Sequence, residues 1–550
     1  MKKIIATGLP LIGLLGLVGV GYSQPPAPEP GMLIERDVEI ATRVGFPVAV
    51  NVYRPNKMGR FPVLISMGPY GKDDLPAEYD GTFGNGQIQV SEYTAFETPD
   101  PAYWTHFDYV VIAADSPGAM SSGGDLELLR SIEANAFYDV IEWAGVQPWS
   151  NGSVGLNGVS YFAVSQWPVA ALNPPHLKAI MPVEGLTDIY RDAVRHGGVP
   201  AVFTGPWTEH RIRPAKNPDA ELVNDLAEAG AERTLFDEFW ASHVPRLGEI
   251  SVPAYVMTSW PDHGLHTRGT LIGFEEIASE EKWLEVHGRK KWEFYYSRDS
   301  LERQRKFFDH FLKGLNNGML DVPRVRYERR NAFYDGEVRY AASWPLPNAE
   351  HQRLYLGDAG DLHREAHPDA TALRYDSTRA GNQLAFSYTF QKATEITGTA
   401  SLRIWVETDA ADDMDLFVGL SKLDRNGNEV FMAGYNDVEH GHLASGWLRV
   451  SHRELDEENS TAGRPYLKHE RLLKVRPGER VPVDIEILPS STLFRPGESV
   501  VLRIQGTELP GAGGVAHWDS VNAGRHLVHL GGEYESYVLL PVVPESASSE

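Results

Sequence analysis

The chain has 550 residues and no cysteine. This absence excludes disulfide bonds, thiolate metal sites, a cysteine nucleophile and a lipid anchor on an N-terminal cysteine. Basic residues are scarce, since 51 Lys and Arg stand against 75 Asp and Glu, and the formal net charge is −24. No Lys/Arg-rich run offsets this charge. We therefore expect no nucleic-acid partner, because the acidic chain would repel a phosphate backbone.

Metal-binding and membrane-spanning patterns are also lacking. The acidic run at residues 412–415 has no ligand-spaced loop around it, and we interpret it as a turn that enters a strand. We expect neither a metal nor another cofactor. Beyond residue 20, no apolar run is long enough for a membrane-spanning helix, which needs roughly 20 residues.

The N-terminus has the pattern of a secretory signal peptide. Two lysines precede an apolar stretch at residues 4–20, and small residues at the −3 and −1 positions indicate cleavage after Ser23. We predict a signal peptide at residues 1–23, with an uncleaved anchor as the alternative, and a Pro-rich linker at residues 24–35. We expect the mature protein to be secreted or periplasmic, without stable membrane insertion.

The length and a change of pattern near residue 350 predict more than one domain. Residues 36–345 alternate apolar strands with helices, which indicates an α/β domain with a mostly parallel sheet. Residues 186–250 interrupt this rhythm with a polar and aromatic helical pattern and predict a cap insertion. Residues 350–545 carry strand patterns only and predict a C-terminal β-sandwich, a jelly roll.

Periodicity predicts individual elements within this plan. Helices are expected at residues 131–145 and 301–313. Buried strands of the α/β domain are expected at residues 61–67, 109–114, 178–183, 253–257 and 282–286, and strands of the β-sandwich at residues 400–406, 416–420, 481–487 and 499–504. The sequence Asp-Arg-Asn-Gly-Asn at residues 424–428 predicts a hairpin turn.

A serine lies at the apex of a predicted strand–turn–helix unit. The strand ends in Gly158-Val159, Ser160 follows, and a helical pattern begins at Tyr161 and is interrupted early by Pro168. This arrangement is typical of the nucleophile elbow of α/β-hydrolases, where the turn exposes the serine hydroxyl above the sheet. Gly-x-Ser also occurs by chance in a chain with 52 glycines, so the surrounding residues must support the interpretation.

The two partners that a serine nucleophile needs follow in the expected order. A serine hydroxyl requires an imidazole to take its proton and a carboxylate to orient that imidazole. Asp262 lies in a turn after the strand at 253–257, and His287 lies in a loop after the next strand. The sequence therefore predicts Ser160, Asp262 and His287 as a catalytic triad.

Other residues could fill these roles. Glu184 also follows a strand and is an alternative acid, whereas Asp115 is expected to brace a loop. His263 and His266 are interpreted as loop or pocket-rim residues, and His310 as an ordinary helical residue.

An acyl-transfer site also needs two hydrogen-bond donors for the oxyanion. The backbone N–H of Tyr161 is the expected first donor. The loop at residues 68–72 reads Gly-Pro-Tyr-Gly-Lys, and the hydroxyl of Tyr70 could be the second donor. The alternative for Tyr70 is a Pro-Tyr turn that packs on the surface.

Several motifs occur together and in order. They are Pro69-Tyr70 before a lysine, residues 149–155, Gly158-Val-Ser160-Tyr161, Trp260-Pro-Asp262, His287 and residues 306–314. As a set, they resemble the family of bacterial cocaine esterase, X-prolyl dipeptidyl-peptidases and α-amino acid ester hydrolases over about residues 36–540. The resemblance implies that Ser160 is the nucleophile, His287 the base and Asp262 its acid. It also implies an oxyanion hole made by the Tyr70 hydroxyl and the Tyr161 N–H, and a C-terminal jelly roll.

The chain departs from the family pattern at two places. Ala163 stands where the family usually has glycine, and residues 115–118 read Asp-Ser-Pro-Gly where Asp-x-Arg-Gly is common. Neither departure touches the reacting atoms, but both weaken any transfer of substrate identity.

The expected function is that of an exported serine hydrolase that cleaves carboxylic esters, with amides as a further option, through an acyl-enzyme. The expected partner is a small ester or an aminoacyl or peptide substrate. The alternatives are an X-Pro dipeptidyl-peptidase, an α-amino acid ester hydrolase, or a carbohydrate- or surface-binding jelly-roll protein. Candidate carboxylates for a substrate ammonium are Asp188, Asp192, Glu209 and Asp237, and candidate acyl-pocket residues are Phe203, Trp207, Tyr190 and Trp240.

Overall fold

The computed structural model describes residues 31–74, 88, 90–436 and 438–544. The predicted signal peptide, residues 1–23, lies outside these residues. Strand β1 begins at Met32, so the last part of the range predicted as a linker is strand. Within the described residues, no helix has the length and apolar character needed to cross a membrane.

The first part of the chain alternates strands and helices. The strands are β1 Met32–Ala41, β2 Pro47–Pro55, β3 Phe61–Gly68, β4 Val110–Asp115, β5 Ser150–Val159 and β6 Leu177–Val183. The helices are α1 Pro101–His106, α2 Ser131–Gly145, α3 Tyr161–Val164 and α4 Gln166–Ala170. Helix α2 confirms the prediction at 131–145, since its buried face carries the expected apolar spacing.

The segment at residues 184–253, between β6 and the next sheet strand, consists of short irregular elements. It contains the two-residue strands β7 Arg195–His196 and β8 Val199–Pro200, and the helices α5 Thr204–Trp207, α6 Arg213–Ala215, α7 Leu226–Glu232 and α8 Glu238–Ala241. Two π-helical turns, Tyr190–Val194 and Thr208–Ile212, and a 3₁₀ turn, Leu247–Glu249, complete it. We call it the insertion.

The sheet pattern resumes after the insertion. The elements are β9 Ala254–Ser259, α9 Thr267–Glu276, β10 Lys282–His287, α10 Lys291–Tyr295, α11 Arg298–Lys313, β11 Val325–Ala332 and β12 Asp335–Ala341. Helix α11 begins three residues before the predicted helix, with Ser297 as its N-cap, and ends at Gly314 in a left-handed conformation.

Among the described residues, strands β7 and β8 pair only with each other, and the other strands form one sheet in the order β1-β2-β4-β3-β5-β6-β9-β10-β11-β12. The pairs from β4 to β11 are parallel, and the outer pairs are antiparallel. Apolar clusters fill both faces of this sheet, and its central strands are almost wholly buried. The prediction of a mostly parallel α/β sheet is confirmed. The carboxyl ends of β5, β6, β9 and β10 lie side by side, so the residues that follow these strands can meet.

The C-terminal part contains strands and short 3₁₀ turns. Its strands are β13 Glu350–Leu356, β14 Leu362–His363, β15 Thr371–Asp376, β16 Gln383–Thr389, β17 Thr394–Thr408, β18 Asp415–Leu423, β19 Glu429–Val430, β20 Ala444–Arg449, β21 Val481–Phe494, β22 Ser499–Gln505, β23 Arg525–Leu530 and β24 Tyr537–Val543. We call residues 350–544 the β region. Its four predicted strands and the turn at 424–428 between β18 and β19 are confirmed.

The β region has two sets of paired strands with a shared core. One set contains β13, β15, β17, β21, β23 and β24, and the other contains β16, β18, β19, β20 and β22. The core includes Ile404 of the first set and Val418 of the second. Strand β11 also pairs with β21 at one position, Arg330 opposite Thr492, which joins the sheets of the two parts of the chain.

Candidate active site

Ser160 lies in a strained turn between β5 and α3. Its backbone has φ 59° and ψ −119°, a conformation that residues other than glycine rarely adopt. Its N–H donates to the Val183 carbonyl at 3.0 Å, while its own carbonyl accepts from the N–H groups of Ala163 and Val164. These bonds hold the turn in place, and Ser160 is half-buried at its apex. The geometry is that expected of a nucleophile elbow.

Glycine is required beside the elbow by close packing. A Cβ atom on Gly158 would lie 2.5 Å from the Cβ of Phe162, and one on Gly68 would lie 2.7 Å from the Phe162 ring. By contrast, Ala163 is fully buried and is accommodated, because Gly185 faces it. The departure from the family glycine therefore fits the local packing.

Two donors flank the elbow. The N–H of Tyr161 donates no hydrogen bond to the described part of the chain, as expected for the first N–H of a helix. The ring of Tyr70 contacts the rings of Tyr161 and Phe162, with centroid distances of 5.9 and 5.7 Å. Tyr70 is buried, so it does not form a surface turn. Burial raises the pKa of its hydroxyl above the usual value, which keeps the group protonated and able to donate.

Asp262 is held by Lys291 rather than by His287. The Lys291 Nζ lies 3.0 Å from the Asp262 Oδ2, and both side chains are buried. The other carboxylate oxygen, Oδ1, has no hydrogen-bond partner among the described residues. Burial alone would lower the pKa of Lys291, but the charges of Asp262 and Tyr435 outweigh burial and raise it. Lys291 is therefore a buried cation within the site.

His287 ends strand β10 and faces a different carboxylate. Its Nε2 lies 3.8 Å from the Glu184 Oε1, and its Nδ1 accepts the N–H of Arg289 at 3.2 Å. Its ring stacks on Phe294 at 3.7 Å, and burial lowers the pKa of the imidazole well below its usual value. Strand β10, which ends at His287, lies three strand spacings from β5, which leads to Ser160. This separation is about 14 Å in the plane of the sheet.

Buried carboxylates outnumber the buried cation in the site. Glu97, Glu184 and Asp262 are all inaccessible to solvent, and Lys291 acts on each of them electrostatically. Burial raises the pKa of Glu97 to about 7, although the Trp292 indole N–H donates to it at 2.8 Å. Burial and the nearby Asp262 charge also raise the pKa of Glu184. At neutral pH the three acids therefore carry fewer than three negative charges in total, because some of them are partly protonated.

The four insertion carboxylates considered for a substrate ammonium have arginine partners. Asp188 pairs with Arg191, and Asp192 with Arg268. Glu209 pairs with Arg213, and Asp237 pairs with Arg233 while capping α8. Their charges are thus neutralised by the protein itself.

The aromatic candidates for an acyl pocket fall into two groups. The rings of Phe203 and Trp207 stack on each other, and Trp207 also stacks on Tyr161 at 6.3 Å, so this pair lies beside the elbow. Tyr190 and Trp240 are fully buried and pack on one another within the insertion.

The remaining candidates have structural partners. Asp115 accepts from the N–H groups of Lys72 and Ser121, which confirms its role in bracing a loop. His263 contacts the Pro489 carbonyl and is half-buried, whereas His266 contacts the Gly185 carbonyl and is buried. His310 binds the Leu315 carbonyl at the end of its helix.

The acidic run at residues 412–415 is occupied by internal contacts. Asp413 accepts from the N–H of Ser451, and Asp415 forms two hydrogen bonds with Arg449. No cluster of His, Asp or Glu in the described residues is arranged to hold a metal ion.

The sequence pattern did not single out Lys291, Glu97 or Glu133. Lys291 follows His287 by four residues and begins α10, and a lysine is ordinarily a solvated side chain. Glu97 and Glu133 lie far from the serine in sequence, so only the folded chain brings them to the elbow.

Two family profiles and a solved structure match the chain over most of its length. The profile of the X-Pro dipeptidyl-peptidase (S15) family matches residues 45–290, and that of the X-Pro dipeptidyl-peptidase C-terminal non-catalytic domain matches residues 317–539. The crystal structure of a CocE/NonD family hydrolase from Staphylococcus aureus has 46% sequence identity and a TM-score of 0.90, and the match covers 93% of this chain and 94% of that one.

The chain belongs to the CocE/NonD family of hydrolases. Within this family, cocaine esterase from Rhodococcus sp. (strain MB1 Bresler) is 25% identical over 93% of this chain and 98% of its own length. An α-amino acid ester hydrolase shares the fold, with a TM-score of 0.71 at 15% identity over 96% of this chain and all of that one. The chain is thus a serine hydrolase with an α/β-hydrolase fold and a C-terminal non-catalytic domain.

Proposed function

We propose that this CocE/NonD hydrolase cleaves carboxylic esters of small acyl groups through an acyl-enzyme formed on Ser160. The observation that carries the proposal is the strained backbone of Ser160 at the end of β5, next to a Tyr161 N–H that donates to no other described residue. Strain of this kind persists where the surrounding structure imposes it, and it presents the hydroxyl to a substrate. The tetrahedral oxyanion would accept hydrogen bonds from the Tyr161 N–H and the Tyr70 hydroxyl.

We further propose that His287 takes the Ser160 proton and that a carboxylate orients it. The family resemblance supports Asp262 as this acid, whereas the 3.8 Å contact supports Glu184. The salt bridge of Asp262 makes Lys291 a second candidate for the proton-transfer group, since a buried lysine can serve as a base when it is neutral. The negative charge of Asp262 favours the protonated form of Lys291, and a protonated lysine cannot act as a base.

The insertion would act as a cap over the acyl pocket. The ring of Trp207 stacks on that of Tyr161 and on that of Phe203. Trp207 and Phe203 would form an apolar wall for the acyl group. The N-terminal signal pattern supports export to the periplasm or the medium.

Recognition of a free amino group is the second candidate function. The excess of buried carboxylates supports it, because an ammonium group needs a charged partner once water is excluded. With the four insertion carboxylates paired to arginines, Glu97 is the best candidate partner. This activity would resemble that of an α-amino acid ester hydrolase or an X-Pro dipeptidyl-peptidase.

The substitution Ser160→Ala tests the main proposal. We expect it to abolish turnover of p-nitrophenyl acetate and butyrate, because the acyl-enzyme cannot form without the hydroxyl. The unfolding temperature should stay within a few degrees of wild type, since the side chain is half-buried and forms no hydrogen bond with another described residue. Labelling of wild type by a fluorophosphonate, with none in the variant, provides the matched control. Undiminished turnover in Ser160→Ala would refute the proposal.

A substrate pair separates the two functions. Phenylalanine p-nitrophenyl ester and its N-acetyl derivative differ in the free ammonium group. An ester hydrolase without amine recognition should cleave both with similar kcat/KM. A preference for the free amine of tenfold or more, lost in Glu97→Gln, would assign amine recognition to Glu97.

A further inference from the structure

The hydroxyl of Tyr70 has a hydrogen-bond partner from the insertion. The indole Nε1 of Trp207, the last residue of α5, donates to the Tyr70 oxygen at 3.0 Å. An indole N–H can only donate, so the Tyr70 oxygen is the acceptor in this bond. The direction of the bond is therefore fixed by chemistry and needs no assignment of hydrogen positions.

This bond decides where the Tyr70 hydrogen can point. The hydrogen cannot occupy the side of the oxygen that receives the Trp207 N–H. No described residue accepts a hydrogen bond from the Tyr70 hydroxyl, so the hydroxyl retains one donor that the protein itself leaves unused. Accepting one hydrogen bond also polarises the O–H group and makes it a stronger donor.

The Tyr70 ring is fixed by its surroundings. The rings of Phe96, Tyr161 and Phe162 contact it edge-on, and the Arg211 guanidinium lies 5.0 Å from its centroid. The ring of Trp207 is itself fixed between Tyr161 and Phe203. Neither partner can turn away without losing stacking contacts, so the hydrogen bond is held by two packed rings.

We propose that Trp207 is a positioning residue for the oxyanion hole. It holds the Tyr70 hydroxyl so that the hydrogen is available to the oxyanion of the bound ester. This inference rests on the proposed function, in which the Tyr70 hydroxyl is an oxyanion donor, and extends it to a residue that never touches the reacting atoms. It also makes the insertion part of the catalytic apparatus, because α5 belongs to the insertion rather than to the sheet domain.

The test is a double-variant cycle with Trp207→Phe and Tyr70→Phe. Trp207→Phe keeps an aromatic ring between Tyr161 and Phe203 and removes the N–H. We expect Tyr70→Phe to lower kcat for p-nitrophenyl butyrate by about 100-fold or more, the cost of losing an oxyanion donor. Trp207→Phe should lower kcat by about five- to tenfold, the cost of one hydrogen bond, with KM changed less than about twofold.

The non-additivity is the decisive readout. In the Tyr70→Phe background, Trp207→Phe should cause no further loss beyond about twofold, because there is no hydroxyl left to orient. Inhibition by a trifluoromethyl ketone, which forms a tetrahedral adduct on the serine, should weaken in parallel with kcat. A role of Trp207 in packing alone would change KM or the unfolding temperature and would lower kcat equally in both backgrounds.

A matched control is Trp405→Phe. Trp405 is also half-buried and lies beside a tyrosine ring, that of Tyr534 at 5.5 Å, but it belongs to β17 of the β region. We expect its kcat to equal that of wild type. If Trp207→Phe does not fold, benzothienylalanine at position 207 replaces the indole N–H by sulfur and removes the donor with little change of shape.

The outcomes separate this inference from the proposed function. A Trp207→Phe kcat within twofold of wild type, or equal losses in both backgrounds, overturns the role of Trp207 while Tyr70 and Ser160 keep theirs. A wild-type kcat in Tyr70→Phe removes Tyr70 from the oxyanion hole, and the role of Trp207 with it. Only an active Ser160→Ala variant would overturn the proposed function as a whole.

Discussion

At the scale of single residues, the charge of Lys291 is the least expected feature of the site. Lys291 lies beside Asp262, where the sequence predicts His287. Removing a buried cation while its carboxylate remains is costly, typically 3–5 kcal/mol. A substitution at Lys291 must therefore preserve the positive charge if it is to report on catalysis rather than on folding.

Two charge-matched substitutions test which group takes the Ser160 proton. We expect His287→Gln to lower kcat/KM by at least about 1,000-fold, because the base would be missing. Lys291→Arg keeps the positive charge beside Asp262, but a guanidinium does not give up its proton at any accessible pH. We expect Lys291→Arg to retain activity within about tenfold, measured on p-nitrophenyl butyrate.

The reverse result would reassign the proton transfer. If Lys291→Arg is inactive and folded while His287→Gln is active, Lys291 is the base and His287 a structural residue. Near-ultraviolet circular dichroism of both variants serves as the folding control.

At the scale of elements, helix α2 fixes the start of the elbow helix through one carboxylate. Glu133, buried in the first turn of α2, accepts from the Tyr161 hydroxyl at 2.9 Å, from the Leu129 N–H at 3.0 Å and from the Ser116 hydroxyl at 2.5 Å. Burial raises the pKa of Glu133 to about 7 in spite of these donors. The side chain of Tyr161 is thereby anchored, and its backbone N–H with it.

Substitution of Glu133 should separate anchoring from charge. Glu133→Ala leaves the buried hydroxyls of Ser116 and Tyr161 without their acceptor, whereas the Leu129 N–H keeps the Tyr161 oxygen at 3.1 Å. We expect the substitution to lower the free energy of unfolding by about 2–4 kcal/mol in urea titrations at pH 7. Glu133→Gln retains an acceptor oxygen, and we expect a smaller loss.

The pH dependence of Glu133→Gln has a definite sign. In wild type, the raised pKa means that the native state binds more protons than the unfolded state between pH 4.5 and about 7, so this group stabilises less as pH rises through that range. Glutamine removes this dependence. The free energy of unfolding of the variant, relative to that of wild type, should therefore be higher at pH 8 than at pH 5. An equal difference at both pH values would contradict the assignment.

At the scale of the whole molecule, the insertion and the β region meet through two histidines. His196 of β7 lies 2.8 Å from His517 of the β region, its Nε2 faces the Asp192 carbonyl, and its ring lies against Trp447. Burial, and then the nearby His517, lower the pKa of His196 to about 3. An unfolded histidine binds a proton below about pH 6.5, whereas this one stays neutral in the native state.

Acid should therefore weaken the whole fold through His196. Between about pH 6.5 and 3 the unfolded state binds more protons at this residue, so stability falls as pH falls. From pH 7.5 to pH 5 we expect a loss of about 2 kcal/mol from this group alone. His196→Asn lacks the titrating ring, and its unfolding free energy in urea should fall by about that much less over the same pH change. Identical pH dependence in both proteins would rule out this role of His196.

Local patterns in the sequence determined much of the fold and part of the site. Apolar runs and glycine-rich turns predicted the sheet strands, helix α2 and the hairpin turn at residues 424–428, because each depends on residues close in sequence. Ser160, Tyr161 and Gly158 could be predicted for the same reason, since the elbow is a local turn whose close contact with Phe162 demands glycine. The serine, its turn and the succession of strands along the chain could therefore be predicted from the sequence.

The contacts between distant residues were decided only by the tertiary structure. The pairing of Asp262 with Lys291, of Tyr70 with Trp207 and of Tyr161 with Glu133 depends on how residues far apart in sequence pack together. A buried charge or donor takes whichever partner the packing brings within about 3 Å, because leaving it unpaired is costly. Sequence order supplies the candidates for each role, but only the packed site selects their partners.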